Sequence, residues 1–285
     1  MKRPVILLTG AAGQLGFELA RLLRAHGEVE ALDRAALDLG DSDAVVAAMR
    51  RVRPQIIVNA AGYTAVDRAE SEPELADAIN ARAPAVLAEE AKRLDALLIH
   101  YSTDYVFDGR ASAPYEENAA TGPLNVYGES KLAGERAIAA SGAHAIVLRT
   151  SWVYGLTGKN FLLTIRRLAR ERDELRIVAD QIGTPNWSRT LAESTAAIIA
   201  QGTAKLVDRA GLYHMSCAGS TSWHGFASAI VGDAQRPRVI AIPTADYPTP
   251  AKRPAYGVLS TRRFRDTFGF DLPDWRVALA ACLAS

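Results

Sequence analysis

A phenol and an ammonium lie four residues apart in Val126-Tyr127-Gly128-Glu129-Ser130-Lys131. On a helix that spacing puts both on one face, about a turn apart. Such a pair can move a proton. A tyrosine is a poor acid at neutral pH, but a cation held beside it stabilises the phenolate and lowers its pKa toward the working range. Tyr127 would be the acid and Lys131 its tuner; the same spacing also suits two side chains that merely decorate an amphipathic helix. A second cluster, Ser102-Thr103-Asp104, follows an apolar run over 96–101. Hydroxyls and a carboxylate at a strand's carboxyl end are candidates for a site, although the same residue types also make turns.

The elements that must position these groups read as an alternation. A strand over 5–8 runs into Gly10-Ala11-Ala12-Gly13-Gln14-Leu15-Gly16, and a helix over 17–24 follows. Strand, glycine loop and helix in that order turn backbone amides and a positive helix end toward a pyrophosphate, with Gly10, Gly13 and Gly16 where a Cβ would block the approach. The next strand, 28–32, ends at Asp33, seventeen residues after Gly16. An acid there can accept hydrogen bonds from an adenosine ribose. Arg34 follows it and could pair a 2'-phosphate, so NADH and NADPH both remain open. Further helices over 42–52 and from 66 through about 93, and strands over 55–58, 96–101 and 145–148, continue the pattern. Such regularity predicts an α/β fold with a Rossmann-type doubly wound parallel sheet.

The bulk numbers exclude several classes. Thirty-three basic and thirty-two acidic side chains among 285 residues leave a net charge of +1, so no global field recruits nucleic acid or an anionic membrane. The charged start, Met1-Lys2-Arg3, precedes too short an apolar run for a signal peptide, and no later run approaches a membrane span. A cytoplasmic protein is expected. Cys217 and Cys282 form no C-x-x-C and read as buried thiols in a reducing compartment. The five histidines show no metal-ligand spacing, so no metal site is expected.

The glycine loop from Thr9, Asp33, Ser102-Thr103 and the Tyr127/Lys131 pair together resemble the extended short-chain dehydrogenase/reductase superfamily. More narrowly, the chain resembles the dTDP-4-dehydrorhamnose reductases. The strings that carry this run from Val58 to Asp67, His100 to Gly109, Leu124 to Gly128, Lys131 to Glu135, Arg149 to Gly155, Asp180 to Pro185 and Tyr247 to Pro254. The resemblance implies reduction of a C4 ketone on a dTDP-sugar, with NADPH or NADH as cofactor. It implies that Gly13, Gln14 and Leu15 cradle the pyrophosphate, that Asp33, Asp38 and Leu39 border the adenosine, and that Ala61, Gly62, Tyr63 and Thr64 line the cofactor. Tyr127 and Lys131 would contact the nicotinamide ribose, and Thr103, Asp104 and Trp152 would face the sugar. A hydride arriving at C4 leaves an alkoxide, which Tyr127 can protonate while Thr103 donates to the same oxygen. Tyr105 stands where sugar-nucleotide dehydratases carry a second carboxylate, which counts against dehydration. A sugar-nucleotide epimerase, a reductase of another 4-keto sugar and a non-catalytic Rossmann subunit remain the alternatives. The sequence leaves the oligomeric state open, with a homodimer one option, and any magnesium dependence would come from a subunit contact.

From about residue 160 the alternation loosens. The expected division is an NAD(P)-binding Rossmann domain over 1–155 and a smaller α/β substrate-binding domain over 156–285, with interleaved elements. Lys252-Arg253 between prolines reads either as a clamp on the substrate diphosphate or as a solvated turn. Two positions depart from the family pattern: Asn186-Trp187, where a threonine is usual, and Gly257, where a serine is. Trp187 reads as core packing or as a stacking surface for the base.

Overall fold

The computed structural model describes residues 3–232 and 237–285, so Met1 and Lys2 of the charged start lie outside the described residues. Five apolar runs become parallel strands: β1 (Val5–Thr9), β2 (Glu28–Leu32), β3 (Ile56–Asn59), β4 (Leu97–Thr103) and β5 (Ala145–Thr150). A sixth strand, Gly211–His214, pairs in parallel with β5 and lies at the edge. The order across the sheet is Gly211–His214, β5, β4, β3, β1, β2. Every residue of β3, β4 and β5 is buried, because helices roof both faces, and this is why these runs lack a polar alternation. The α/β doubly wound expectation holds.

The pleat sends successive side chains into two cores. Ile6, Leu8, Val58, Ile99 and Leu148 pack with the helices Gln14–Leu22, Ser188–Ile199 and Trp275–Leu283. Leu7, Ile57, Leu98 and Val147 pack with Ser42–Val52, Ala83–Leu94 and Val126–Ser141. The order of the strands reverses between β1 and β3. A doubly wound sheet opens its ligand crevice outside the carboxyl ends at such a point.

Three boundaries differ from the sequence pattern in ways that matter for the site. Strand β4 continues to Thr103, because Ser102 and Thr103 pair in register with Arg149 and Thr150 of β5, so both hydroxyls are carried on the strand itself. The first helix starts at Gln14 rather than at Phe17, because the glycine loop turns directly into it. The long helical stretch after Pro73 passes through a π-helical turn, Ala78–Arg82, which places Asn80 in the interior. Beyond β5 the chain builds small two-stranded units: Glu174–Val178 with Arg238–Ile242, Ile182–Gly183 with Thr221–Ser222, and Val153–Tyr154 with Asn186–Trp187. Cys217 and Cys282 are free, buried thiols.

Candidate active site

The glycine loop is built for a close approach. Gly10 has φ +74°, and a Cβ there would meet the Ala61 backbone at 2.7 Å. A Cβ on Gly16 would lie 2.0 Å from the Gly10 carbonyl oxygen. Gly13 is the N-cap of the first helix and offers no side chain, so the amides of Gln14, Leu15 and Gly16 are among the donors a helix leaves unpaired at its start. Gln14 adds a buried side-chain oxygen with no protein partner. Donors, a helix end and cleared space fit a pyrophosphate. Asp33 directly follows β2, where it accepts from the Ala36 amide at 3.0 Å. Asp38 is exposed and accepts from the Gly40 amide, whereas Leu39 is core, so only its backbone can border a ligand. Across the crevice, the loop of Ala61, Gly62, Tyr63 and Thr64 is fixed by Asn80, which accepts from the Tyr63 amide at 2.8 Å and donates to the Tyr63 carbonyl at 3.0 Å.

The helix Val126–Ser141 brings Tyr127 to the same crevice. Asn125 caps it by accepting from the Gly128 amide at 2.8 Å and ties its start to the Lys252 carbonyl at 2.7 Å. Gly128 lets the helix approach the backbone of Tyr105; a Cβ there would lie 2.3 Å from its carbonyl oxygen. Tyr127 consequently packs edge-on against Tyr105, with ring centroids 5.5 Å apart, and its phenol lies near the Thr103 side chain. Its residue surface is part-exposed while its hydroxyl is hemmed in by protein.

The electrostatics differ from the sequence expectation. Burial pushes the Tyr127 pKa up to about 12, the nearby Thr103 hydroxyl opposes that rise, and the nearby Asp104 adds to it. Lys131 does not lower it. Its Nζ donates to the Tyr101 carbonyl at 2.6 Å and lies 3.3 Å from His100 Nε2, and burial depresses its own pKa to about 8, against a smaller opposing pull from Glu135. Tyr127 is therefore a fully protonated phenol at neutral pH. That is the form a proton donor needs.

On the far side of Thr103, Asp104 is 2% exposed. One of its oxygens accepts from Thr103 at 3.2 Å and the other has no partner. Burial raises its pKa to about 7. A Cβ on Gly257 would lie 2.3 Å from that orphan oxygen, so the glycine that departs from the family's serine makes room for Asp104. Arg253 is paired with Asp67 at 2.8 Å and also donates to Thr249, beside Tyr105. Lys252 contributes its carbonyl and keeps its charge in solvent. Trp152 has φ +41°, a left-handed conformation that a tryptophan rarely adopts. Its ring stacks on Trp223 at 3.6 Å, and a Cβ on Gly183 would strike it at 2.5 Å.

The structure thus gathers Thr103, Asp104, Tyr127 and Lys131 at the carboxyl end of β4, with the glycine loop and the 61–64 loop alongside. Trp187 is buried in the main core with Arg189 over its ring. Asn186 is a fully buried strut that donates to the Ser151 and Thr184 carbonyls and accepts from the Cys217 amide. Sequence reading passed over Asn59, Asn80, His100, Asp67 and Trp223. Asn59 and His100 carried a signal: each is a polar residue inside a run that should be wholly apolar.

A doubly wound sheet, a glycine-rich first turn, and a tyrosine and lysine one helical turn apart beside a strand-borne threonine define an extended short-chain dehydrogenase/reductase. The model of the RmlD substrate binding domain matches residues 3–285, and the chain belongs to that family. It is 48% identical to a dTDP-4-dehydrorhamnose reductase of Burkholderia thailandensis, over 98% of this chain and 97% of the relative. It is 44% identical to the corresponding reductase of Escherichia coli K12, over 98% and 96%. Among solved structures, the dTDP-4-dehydrorhamnose reductase of Bacillus anthracis in complex with NADP superposes with a TM-score of 0.91 at 35% identity, covering 100% of this chain and 99% of that one. The Clostridium acetobutylicum reductase gives 0.92 at 36% identity, over 98% of each. Among the described residues no helix is long and apolar enough to cross a membrane, and no cluster of His, Cys, Asp and Glu could hold a metal ion.

Proposed function

We propose that this chain is an NAD(P)H-dependent oxidoreductase that reduces the C4 ketone of dTDP-4-dehydro-6-deoxy-L-mannose (dTDP-4-dehydro-β-L-rhamnose) to dTDP-L-rhamnose. The observation that carries the mechanism is the close packing of the Tyr127 helix on Tyr105, which sets the phenol near Thr103 at the carboxyl end of β4. The bound nicotinamide supplies the hydride, and every other task falls to this chain. Gly13, Gln14, Leu15 and Gly16 hold the pyrophosphate, Gly10 lets the loop close on Ala61, and Asp33 takes the ribose. The Thr103 hydroxyl, turning its one hydrogen from Asp104 to the substrate, donates to the ketone oxygen and fixes its position beside Tyr127. As negative charge grows there, the Tyr127 O–H bond breaks and the proton passes to the new alcohol. Lys131, anchored on the Tyr101 carbonyl one turn along the same helix face, would donate from its ammonium to the nicotinamide ribose.

Asp104 and Trp152 face the sugar in this reading. Arg253, already committed to Asp67, meets the diphosphate from the part of its guanidinium that remains free. Tyr105 fills the position a second carboxylate would need for dehydration, where its ring supports Tyr127 instead.

The test mixes protein, NADPH and the dTDP-4-keto sugar, following cofactor absorbance and product together. NADPH oxidation in proportion to sugar supports the reading. Isomerisation of the sugar without net oxidation points to an epimerase, and silence points to a binding subunit. In the same assay Tyr127→Phe should lower kcat by roughly 100- to 10,000-fold with little change in KM; undiminished turnover would remove Tyr127 as the acid.

A further inference from the structure

A row of buried polar groups crosses the sheet beneath the site, and no step of the chemistry above uses it. Thr9, Asn59 and His100 are opposite one another on β1, β3 and β4, all but free of solvent contact. Thr9 Oγ1 donates to Asn59 Oδ1 at 2.7 Å, Asn59 Nδ2 meets His100 Nδ1 at 3.0 Å, and His100 Nε2 lies 3.3 Å from Lys131 Nζ.

The starting point is the Ala61 amide, which can only donate. It points at Asn59 from 3.3 Å, so the amide atom facing it is the oxygen, and the nitrogen faces His100. Asn59 Nδ2 is likewise a donor, so His100 Nδ1 must be the bare, accepting nitrogen. Complete burial, and after it the neighbouring Lys131, hold the imidazole neutral. A neutral ring with a bare Nδ1 carries its hydrogen on Nε2. That hydrogen points at Lys131. A lysine ammonium has donors only, whereas the amine has a lone pair that accepts. We propose that His100, fixed by Asn59 as the Nε2–H tautomer, is a positioning residue that sets the protonation state of Lys131.

The other charged and titratable groups around Lys131 do not replace this control. Glu135, one turn further along the same helix, favours the ammonium but is held by Arg149 of β5 through two hydrogen bonds of 2.6 and 2.8 Å. Asp104, in the turn just past β4, is hydrogen-bonded to Thr103, and neither it nor Tyr127 on the same helix shifts the lysine. On β4 only the Tyr101 carbonyl accepts from Nζ. Deleting the imidazole donor and offering an acceptor in its place should therefore let Lys131 keep its proton to higher pH. His100→Gln does this, since its amide can rotate to present oxygen.

The inference rests on the role proposed for Lys131, and its test separates the two. In 15N-histidine-labelled wild type, the His100 signals, assigned by their loss in His100→Gln, should show a bare Nδ1 and a protonated Nε2 between about pH 6 and 9. The pH profile of NADPH oxidation with the keto sugar should fall on its alkaline side with a midpoint at about 8, where Lys131 loses its charge. In His100→Gln that midpoint should move up by about one pH unit, whatever the height of the plateau. A hydrogen on Nδ1, or an alkaline limb that stays in place while the whole profile drops, would overturn the proposal and leave His100 a structural residue. A wild type silent at every pH would sink the reductase reading instead, and the tautomer would then decide alone.

Discussion

Asp104→Asn isolates the cost of burying a carboxyl whose second oxygen has no partner. In the native protein burial raises the Asp104 pKa to about 7 from an ordinary 3.8. Between those values the folded chain holds a proton that the unfolded chain has released, so stability falls as pH rises through this window, and the full cost is present above about pH 7. At 1.36 kcal/mol per pH unit that cost reaches roughly 4 kcal/mol. Asparagine is neutral throughout and keeps the bond from Thr103, so it removes the penalty wherever the carboxylate would bear it. At pH 5 little more than a third of the cost has developed. The variant should therefore gain about 2 to 3 kcal/mol more over wild type at pH 8 than at pH 5. Urea unfolding at the two pH values reads this directly, because the shift in midpoint multiplied by the common slope is the free-energy difference. An equal shift at both pH values would show that Asp104 ionises without penalty, and that the crevice beneath Gly257 is wetter than its packing implies.

Three further outcomes follow from the geometry. Gly16→Ala places a methyl carbon 2.0 Å from the Gly10 carbonyl oxygen; the loop must open, and NADPH affinity measured by fluorescence titration should fall at least about tenfold, equivalent to 1.4 kcal/mol. Thr103→Val keeps the volume and removes one donor, and should lower kcat by roughly 10- to 1000-fold. Trp152→Ala and Trp152→Gly both lose the stack on Trp223 and should raise the KM for the sugar, but at φ +41° the glycine variant should unfold at a higher temperature than the alanine one, by about 1 kcal/mol of relieved strain. Equal melting temperatures would show that the left-handed turn is not strained.

Most of the scaffold was legible because its signals are local. The run 5–8, the three glycines and Asp33 lie within one strand-turn-helix-strand unit, and each answers to constraints that a single segment expresses. The Tyr127/Lys131 spacing was legible for the same reason. What the letters could not show was three-dimensional competition. Lys131 is close enough in sequence to tune Tyr127, yet its Nζ donates to the Tyr101 carbonyl and burial weakens its charge, so the phenol stays high. The role of Gly257 depends on Asp104, 153 positions earlier, and no periodicity links them. Asn186 looked like a change in the pocket because its family position usually holds a threonine; its hydrogen bonds to Ser151, Thr184 and Cys217 make it a strut.

The placement of Gly211–His214 bears on anyone who would graft one half of this protein onto a relative. Severed after residue 155, the nucleotide-binding part would present β5 as a naked rim, its unpaired amides and carbonyls ready to zip onto another copy. A chimera that exchanges sugar specificity must therefore carry its own residues 211–214 into the host sheet, so the natural seam for recombination is a patchwork rather than a single cut.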